Sequence, residues 1–130
     1  MKPIHLITLA VLFLFSSCKK SEIKSSDLNG EWKLTSNYGG MMPASTPLMD
    51  IKLIISGSDY QVFNQGKLSH TTKFKMVNVA ETIDDYKYSY KLDFEDSQMI
   101  DRYFSIDNNQ LRMQSGTIAL DHVVQFYKRK

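Results

Sequence analysis

The chain has 130 residues, room for one domain, with 42% hydrophobic and 23% charged residues. Tyr, Phe, Ile, Leu and Val recur through the last two-thirds, which excludes an intrinsically disordered chain. A formal charge of only +2 lacks the basic stripe of a nucleic-acid binder, so no nucleic-acid partner is expected, and the terminal Lys128-Arg129-Lys130 reads as a solvated end.

Residues 1–18 have the three parts of an export signal: a short start carrying Lys2, the apolar run 6–15 (LITLAVLFLF), and the small residues Ser16-Ser17. Ten residues rise only about 15 Å as a helix, roughly half a hydrocarbon core, so the run suits export rather than a permanent span. Cys18 is the only cysteine, which rules out an internal disulfide. The stretch Leu14-Phe15-Ser16-Ser17-Cys18 resembles the lipobox of bacterial lipoproteins. That resemblance implies cleavage before Cys18, lipidation of its thiol (thioether diacylglycerol, with palmitate-type chains) and acylation of the new amine. Two or three acyl chains exceed what stable anchoring needs. The expected organisation is a signal peptide over 1–17, acylated Cys18 with a polar flexible tether over 18–27, and a single domain over 28–130. Lys19 after the cysteine is similar to lipoproteins sent to an outer membrane; whether the periplasmic or the surface face is occupied stays open.

From Gly30 onward the dominant pattern is period two, the signature of half-buried strands. The first strand spans 31–36, with Trp32 and Leu34 on one face. Residues 37–49, holding Gly39-Gly40, Pro43 and Pro47, form the longest loop. Strands follow at 50–56, with Ile51, Leu53 and Ile55 in phase, and at 59–64 after the Gly57-Ser58 turn. The fourth, 67–79, is long enough to bend or bulge; it aligns Leu68, His70, Thr72, Phe74 and Met76. An acidic connection, 80–85, leads to the most regular strand, 86–94, which aligns Tyr86, Tyr88, Tyr90, Leu92 and Phe94. Strands at 99–106, 110–114 and 122–128 complete the series, the last with Val124 and Phe126 in phase. Asp107-Asn108-Asn109 is a hairpin turn.

Eight short antiparallel strands have an edge problem that closure removes. The fold expected is therefore all-β: one eight-stranded up-and-down barrel, with a two-sheet β-sandwich as the alternative. Gly30-Glu31-Trp32, a long loop and then a meander resemble lipocalin-like domains, and more narrowly the small lipocalin-like lipoproteins of bacteria. The resemblance implies that Gly30 and Trp32 open the first strand, that Trp32 plugs the closed end, and that a basic residue near the last strand's end, Lys128 or Arg129, packs on it. It also implies that the loop 37–49 lies across the open mouth. The chain is shorter than a full lipocalin, without its long helix or disulfide.

The chemistry-bearing residues form no catalytic constellation. There is no Gly-x-Ser-x-Gly elbow and no phosphate-cradling glycine loop; the acids Asp84, Asp85, Asp93, Glu95, Asp96 and Asp101 fall in turns or on a polar face. With only His70 and His122 in the mature chain, no metal site is expected, and no cofactor and no enzymatic activity. Tyr86, Tyr88 and Tyr90 have three readings: a pocket wall with hydroxyl handles, a packed core, or an outward aromatic stripe. In the binding reading, Phe74 and the three tyrosines wall a site for a small hydrophobic or amphipathic ligand, His70 is its polar contact, and Met41 and Met42 lie at the mouth. The competing reading is a solid barrel serving as a structural or accessory lipoprotein that docks on another envelope protein.

Overall fold

The computed structural model describes residues 22–39, 46–115 and 123–130. Cys18 with its lipobox, Met41, Met42 and His122 lie outside the described residues. Eight strands follow one another: β1 (Gly30–Tyr38), β2 (Ile51–Ser56), β3 (Asp59–Asn64), β4 (Lys67–Ile83), β5 (Tyr86–Phe94), β6 (Arg102–Asp107), β7 (Gln110–Ser115) and β8 (Val124–Arg129). Each pairs antiparallel with the next, and β8 returns to β1, so the sheet is a closed barrel. The expected closure is observed and the sandwich is not.

Alternation explains the core. Trp32 and Leu34 of β1, Leu53 and Ile55 of β2, Tyr60 of β3, Phe74 of β4, Leu92 and Phe94 of β5, Phe104 of β6, Leu111 and Met113 of β7 and Tyr127 of β8 form one buried cluster. Tyr60 stands at its centre, edge-on to Phe94 at 4.9 Å and to Phe74 at 6.3 Å. Its hydroxyl donates to the Met113 sulfur at 3.8 Å. Aromatic and branched side chains thus pack the barrel interior.

Leu68 and Phe126, expected in phase along their strands, do not face this core, and the departure of Leu68 follows a bulge. An irregularity between Val62 and Phe63 shifts the β3–β4 register so that Leu68 pairs with Phe63 and lies half exposed. A second, between Leu34 and Ser36, shifts β1 against β8. In β8 the core residue is Tyr127, which pairs with Leu34 and Leu111, while Phe126 alternates with it and pairs with Arg112, on the face opposite Leu111 and Met113. One extra residue inverts the facing of all that follows.

The end of the barrel where β1 begins is sealed by sequence-local parts. Residues 25–28 form a 3-10 turn, Ser25–Leu28, in the segment expected to be tether. Trp32, fully buried, donates its indole N–H to the Leu28 carbonyl at 2.8 Å. The Arg129 guanidinium lies 4.3 Å from the Trp32 ring and donates to the carbonyls of Asn29 (2.6 Å) and Asp27 (2.7 Å). Gly30 sits at φ 137°, and a Cβ there would lie 3.2 Å from Arg129 Nη1. The positive φ favours glycine there, and a side chain would also press on the Arg129 guanidinium.

Candidate functional site: the seam between β5 and β6

The barrel wall is weakest between β5 and β6. Their ladder has three residue pairs, Tyr90 with Phe104, Lys91 with Tyr103 and Leu92 with Arg102, against six between β1 and β8. Beyond Tyr90 the lower part of β5 stays paired with β4 but leaves β6. The acidic stretch expected as a connection is instead the end of this hairpin, since β4 runs on to Ile83 after a bulge between Asn78 and Glu81. Asp84 and Asp85, at φ 50° and 64°, make the turn; acidic side chains tolerate this left-handed pair well.

The freed hairpin end overlaps the outside of the barrel. Tyr103 pairs with Gln114, and Ser105 pairs with Arg112, which pairs with Phe126. These residues alternate with the core residues Phe104, Met113 and Tyr127, so they occupy the outer face. Every recorded partner of Tyr86 and Tyr88 on β6 and β7 belongs to that face. The Tyr88 hydroxyl donates to Gln114 Oε1 at 2.6 Å and accepts from Arg112 Nε at 2.8 Å. Its ring lies 5.9 Å from that of Tyr103. Tyr86 shares a 2.8 Å hydrogen bond with the Ser105 hydroxyl, and its ring carries the Arg112 guanidinium at 4.0 Å. Gln114 Nε2 donates to Asp84 Oδ2 at 2.9 Å. Ile83, Tyr88 and Val124 are accordingly buried outside the main core cluster.

The overlap buries Gln114 and Tyr88, and both are matched. Gln114, with no exposed surface, uses both ends of its amide, as a buried amide must. Burial pushes the Tyr88 phenol above its ordinary pKa, while the Arg112 hydrogen bond pulls the other way. Arg112 is flanked by the rings of Tyr86 and, at 5.4 Å, Phe126, so a planar cation is held by π faces and one hydroxyl.

Where β5 parts from β6, a partly open pocket of about 570 Å³ remains. Its lining is mixed, with somewhat more polar than apolar surface: Phe104 is fully buried, and Tyr90, Ile106 and Ile23 pack against the core. Exposed Glu22, Lys87, Ser89 and Asp107 stand around it. The segment leading into the 3-10 turn closes one side, with the Ile23 backbone N–H donating to the Tyr90 hydroxyl at 3.1 Å.

The residues singled out in the sequence therefore separate. Tyr86 and Tyr90 line the pocket; Tyr88, although between them in sequence, faces Arg112 and Gln114 in the overlap. Phe74 is in the barrel core against Tyr60. His70 is half buried on β4, its Nε2 2.9 Å from Asp96 Oδ2, although the approach lacks hydrogen-bond alignment. Among the described residues no group of three His, Cys, Asp or Glu converges as a metal site would need.

Sequence reasoning missed Arg112, Gln114, Tyr103, Ser105 and Ile23. A signal for them exists in the adjacent aromatics Tyr103-Phe104 and Phe126-Tyr127, because a strand apolar on both faces is covered on both. No protein-family model matches the chain, and no curated protein matches it.

Proposed function

We propose that this protein is a lipid-anchored, non-catalytic envelope lipoprotein with a lipocalin-like barrel, and that it binds a small hydrophobic or amphipathic molecule in the seam pocket between β5 and β6. The observation that carries this reading is the pocket itself. Its volume of about 570 Å³ lies in the range of small-molecule sites, roughly 300–1,000 Å³, which combine apolar walls with a few polar handles. Tyr86, Tyr90 and Ser105 supply hydroxyl handles beside the apolar side chains of Ile23, Phe104 and Ile106. The barrel axis, filled by aromatic and branched side chains, is not the seat. The lipocalin-like reading draws support from the closed eight-stranded barrel and from Trp32 sealed under Arg129. Anchoring at Cys18, in the outer membrane of a bacterial envelope, rests on the lipobox-like stretch.

Native mass spectrometry of the mature protein, released from its own membranes in mild detergent, tests the binding. A retained small molecule is expected, and Tyr90→Ala should lose it while keeping the fold. A protein that carries nothing, and whose uptake of an apolar dye is unchanged in Tyr90→Ala, would sink the reading and leave the solid accessory barrel. Anchoring is tested separately: Cys18→Ala should leave the membrane fraction, after processing, if the thiol carries the lipid.

A further inference from the structure

We propose that the outer face of β8, β1 and β2 is the docking surface for an acidic segment of an envelope partner protein, one that carries a run of carboxylates beside an aliphatic side chain. Lys33 of β1 stands directly opposite Lys52 of β2 on one side and Lys128 of β8 on the other. The three alternate with the core residues Trp32, Leu34, Leu53 and Tyr127, so they share the outer face. Like charges directly opposite one another in a sheet repel. Every other described lysine in a strand pair faces an acid, as Lys73 faces Asp59 and Lys75 faces Asp93, or an uncharged residue. One carboxylate attends the row: Glu31, shared between Lys52 at 3.6 Å and Lys130 at 3.0 Å. Among the described residues Lys33 and Lys128 have no acidic partner, and both are exposed.

The row continues into apolar surface. Lys52 faces Phe63, whose ring its ammonium overlies at 5.0 Å, and Phe63 faces the half-exposed Leu68 of β4. Neighbouring strands lie about 4.8 Å apart, so the three lysines spread over about 10 Å. Carboxylates two residues apart in an extended segment repeat about every 6.6 Å on one side, and flexible lysine stems reach them. An aliphatic side chain at the end of that run meets Phe63 and Leu68. An anionic lipid surface offers the same two chemistries, but the anchor places the bilayer elsewhere. Glu22 and Ile23 lie at the β5–β6 seam, the Ile23 amide bonded to the Tyr90 hydroxyl. Cys18 stands four residues before Glu22 in the sequence, a reach of at most roughly 14 Å. The lysine row is centred on β1, four strands round the ring from β5. The bilayer therefore lies on the seam side, and the row faces away from it. This last step rests on the anchoring at Cys18 proposed above; the row itself does not.

The experiment uses the mature lipoprotein in phosphatidylcholine vesicles. The probe is a fluorescent peptide of alternating glutamates and serines ending in leucines. Its anisotropy should show saturable binding that disappears near about 1 M salt, where charges are screened beyond about 3 Å. Lys33→Glu should weaken binding about tenfold. Because it sets an acid between Lys52 and Lys128, its urea midpoint should not fall below that of the unaltered protein. Lys75→Glu makes the same charge change at an exposed position of β4 outside the row and should leave binding unchanged. Leu68→Ser should weaken binding about threefold, and only for the peptide that ends in leucines. Absence of saturable binding, or an equal loss in Lys33→Glu and Lys75→Glu, would overturn the inference, the second result marking net charge alone. Lysine acetylation read by mass spectrometry separates the lipid surface from the protein partner. Lys33 and Lys128 should react as fast in vesicles containing phosphatidylglycerol as in phosphatidylcholine alone. Protection by phosphatidylglycerol would assign the row to the bilayer and overturn the inference. None of these results bears on the seam pocket, whose ligand is read by native mass spectrometry.

Discussion

The two ends of the β1–β8 and β5–β6 boundaries show how differently one barrel can treat its own wall. At the first, six residue pairs, a buried tryptophan and an arginine bonded to two carbonyls leave no space. At the second, three pairs hold, the hairpin end departs, and a pocket of about 570 Å³ remains. The difference lies in what replaces the lost ladder bonds. At the sealed boundary, local chain covers the core. At the seam, the hairpin slides outward and buries its tyrosines against a polar outer face, which a cation and an amide make habitable. A packed core gives stability; an overlap with matched polar groups gives an opening that does not unravel.

The comparison breaks most easily at the sealed end. Trp32→Ala should cost about 3–5 kcal/mol, because it removes a buried ring and its hydrogen bond and leaves a cavity. Urea unfolding should show a lowered midpoint of the whole barrel. A loss confined to the seam would mean that the plug is not part of the global core.

Alkali attacks the core next. Burial raises the Tyr60 pKa to about 12, and burial also raises that of Tyr127. A raised phenol contributes its full stability below the unfolded value near 10 and loses it as pH climbs through the folded value. Stability should therefore fall between pH 10 and about 12, by on the order of 3 kcal/mol for Tyr60. Absorbance at 295 nm should show these two phenols ionising only with unfolding; early ionisation of every tyrosine would contradict the packed interior.

The seam should respond locally. Arg112→Met removes the hydrogen bond to Tyr88 and the cation over Tyr86, for about 1–2 kcal/mol. Amide exchange should speed up across 81–88 far more than across β1 and β8. Smallest of all, Tyr86→Phe removes a single bond to Ser105, worth about 1 kcal/mol, and should quicken exchange at the seam with no change in the urea midpoint beyond that amount.

How much of this was legible in the sequence depends on the range of the interaction. Period-two patterning matches β3 and β5 to the residue because that signal is local, and the resemblance carried by Gly30 and Trp32 implies a basic partner, Lys128 or Arg129, of which Arg129 is the one over the ring. The acidic stretch 80–85 looked like a connection, since Glu81, Asp84 and Asp85 carry no apolar alternation; pairing with Tyr86, Lys87 and Tyr88 makes 81–83 strand all the same and leaves Asp84-Asp85 as the turn. The bulge at Val62/Phe63 carries no composition signal, yet it turns Leu68 away from the core. The three readings of the tyrosine row, pocket wall, packed core and outward stripe, each take it as one unit. Its division, Tyr90 against the core and Tyr88 against Arg112, depends on where β5 leaves β6, and nothing within 86–94 records that. Gln114 and Arg112 could not be chosen from a strand that reads Gln-Leu-Arg-Met-Gln-Ser, because their burial is supplied by residues twenty to thirty positions earlier.

The overlap at the seam places the pocket outside a filled barrel, and nuclear Overhauser contacts of the Tyr88 ring test it most directly. Contacts are expected from its ring protons to the side chains of Tyr103, Arg112 and Gln114, and none to Tyr60 or Leu111. Contacts to Tyr60 and Leu111 instead would put Tyr88 inside the barrel and contradict the seam as the site.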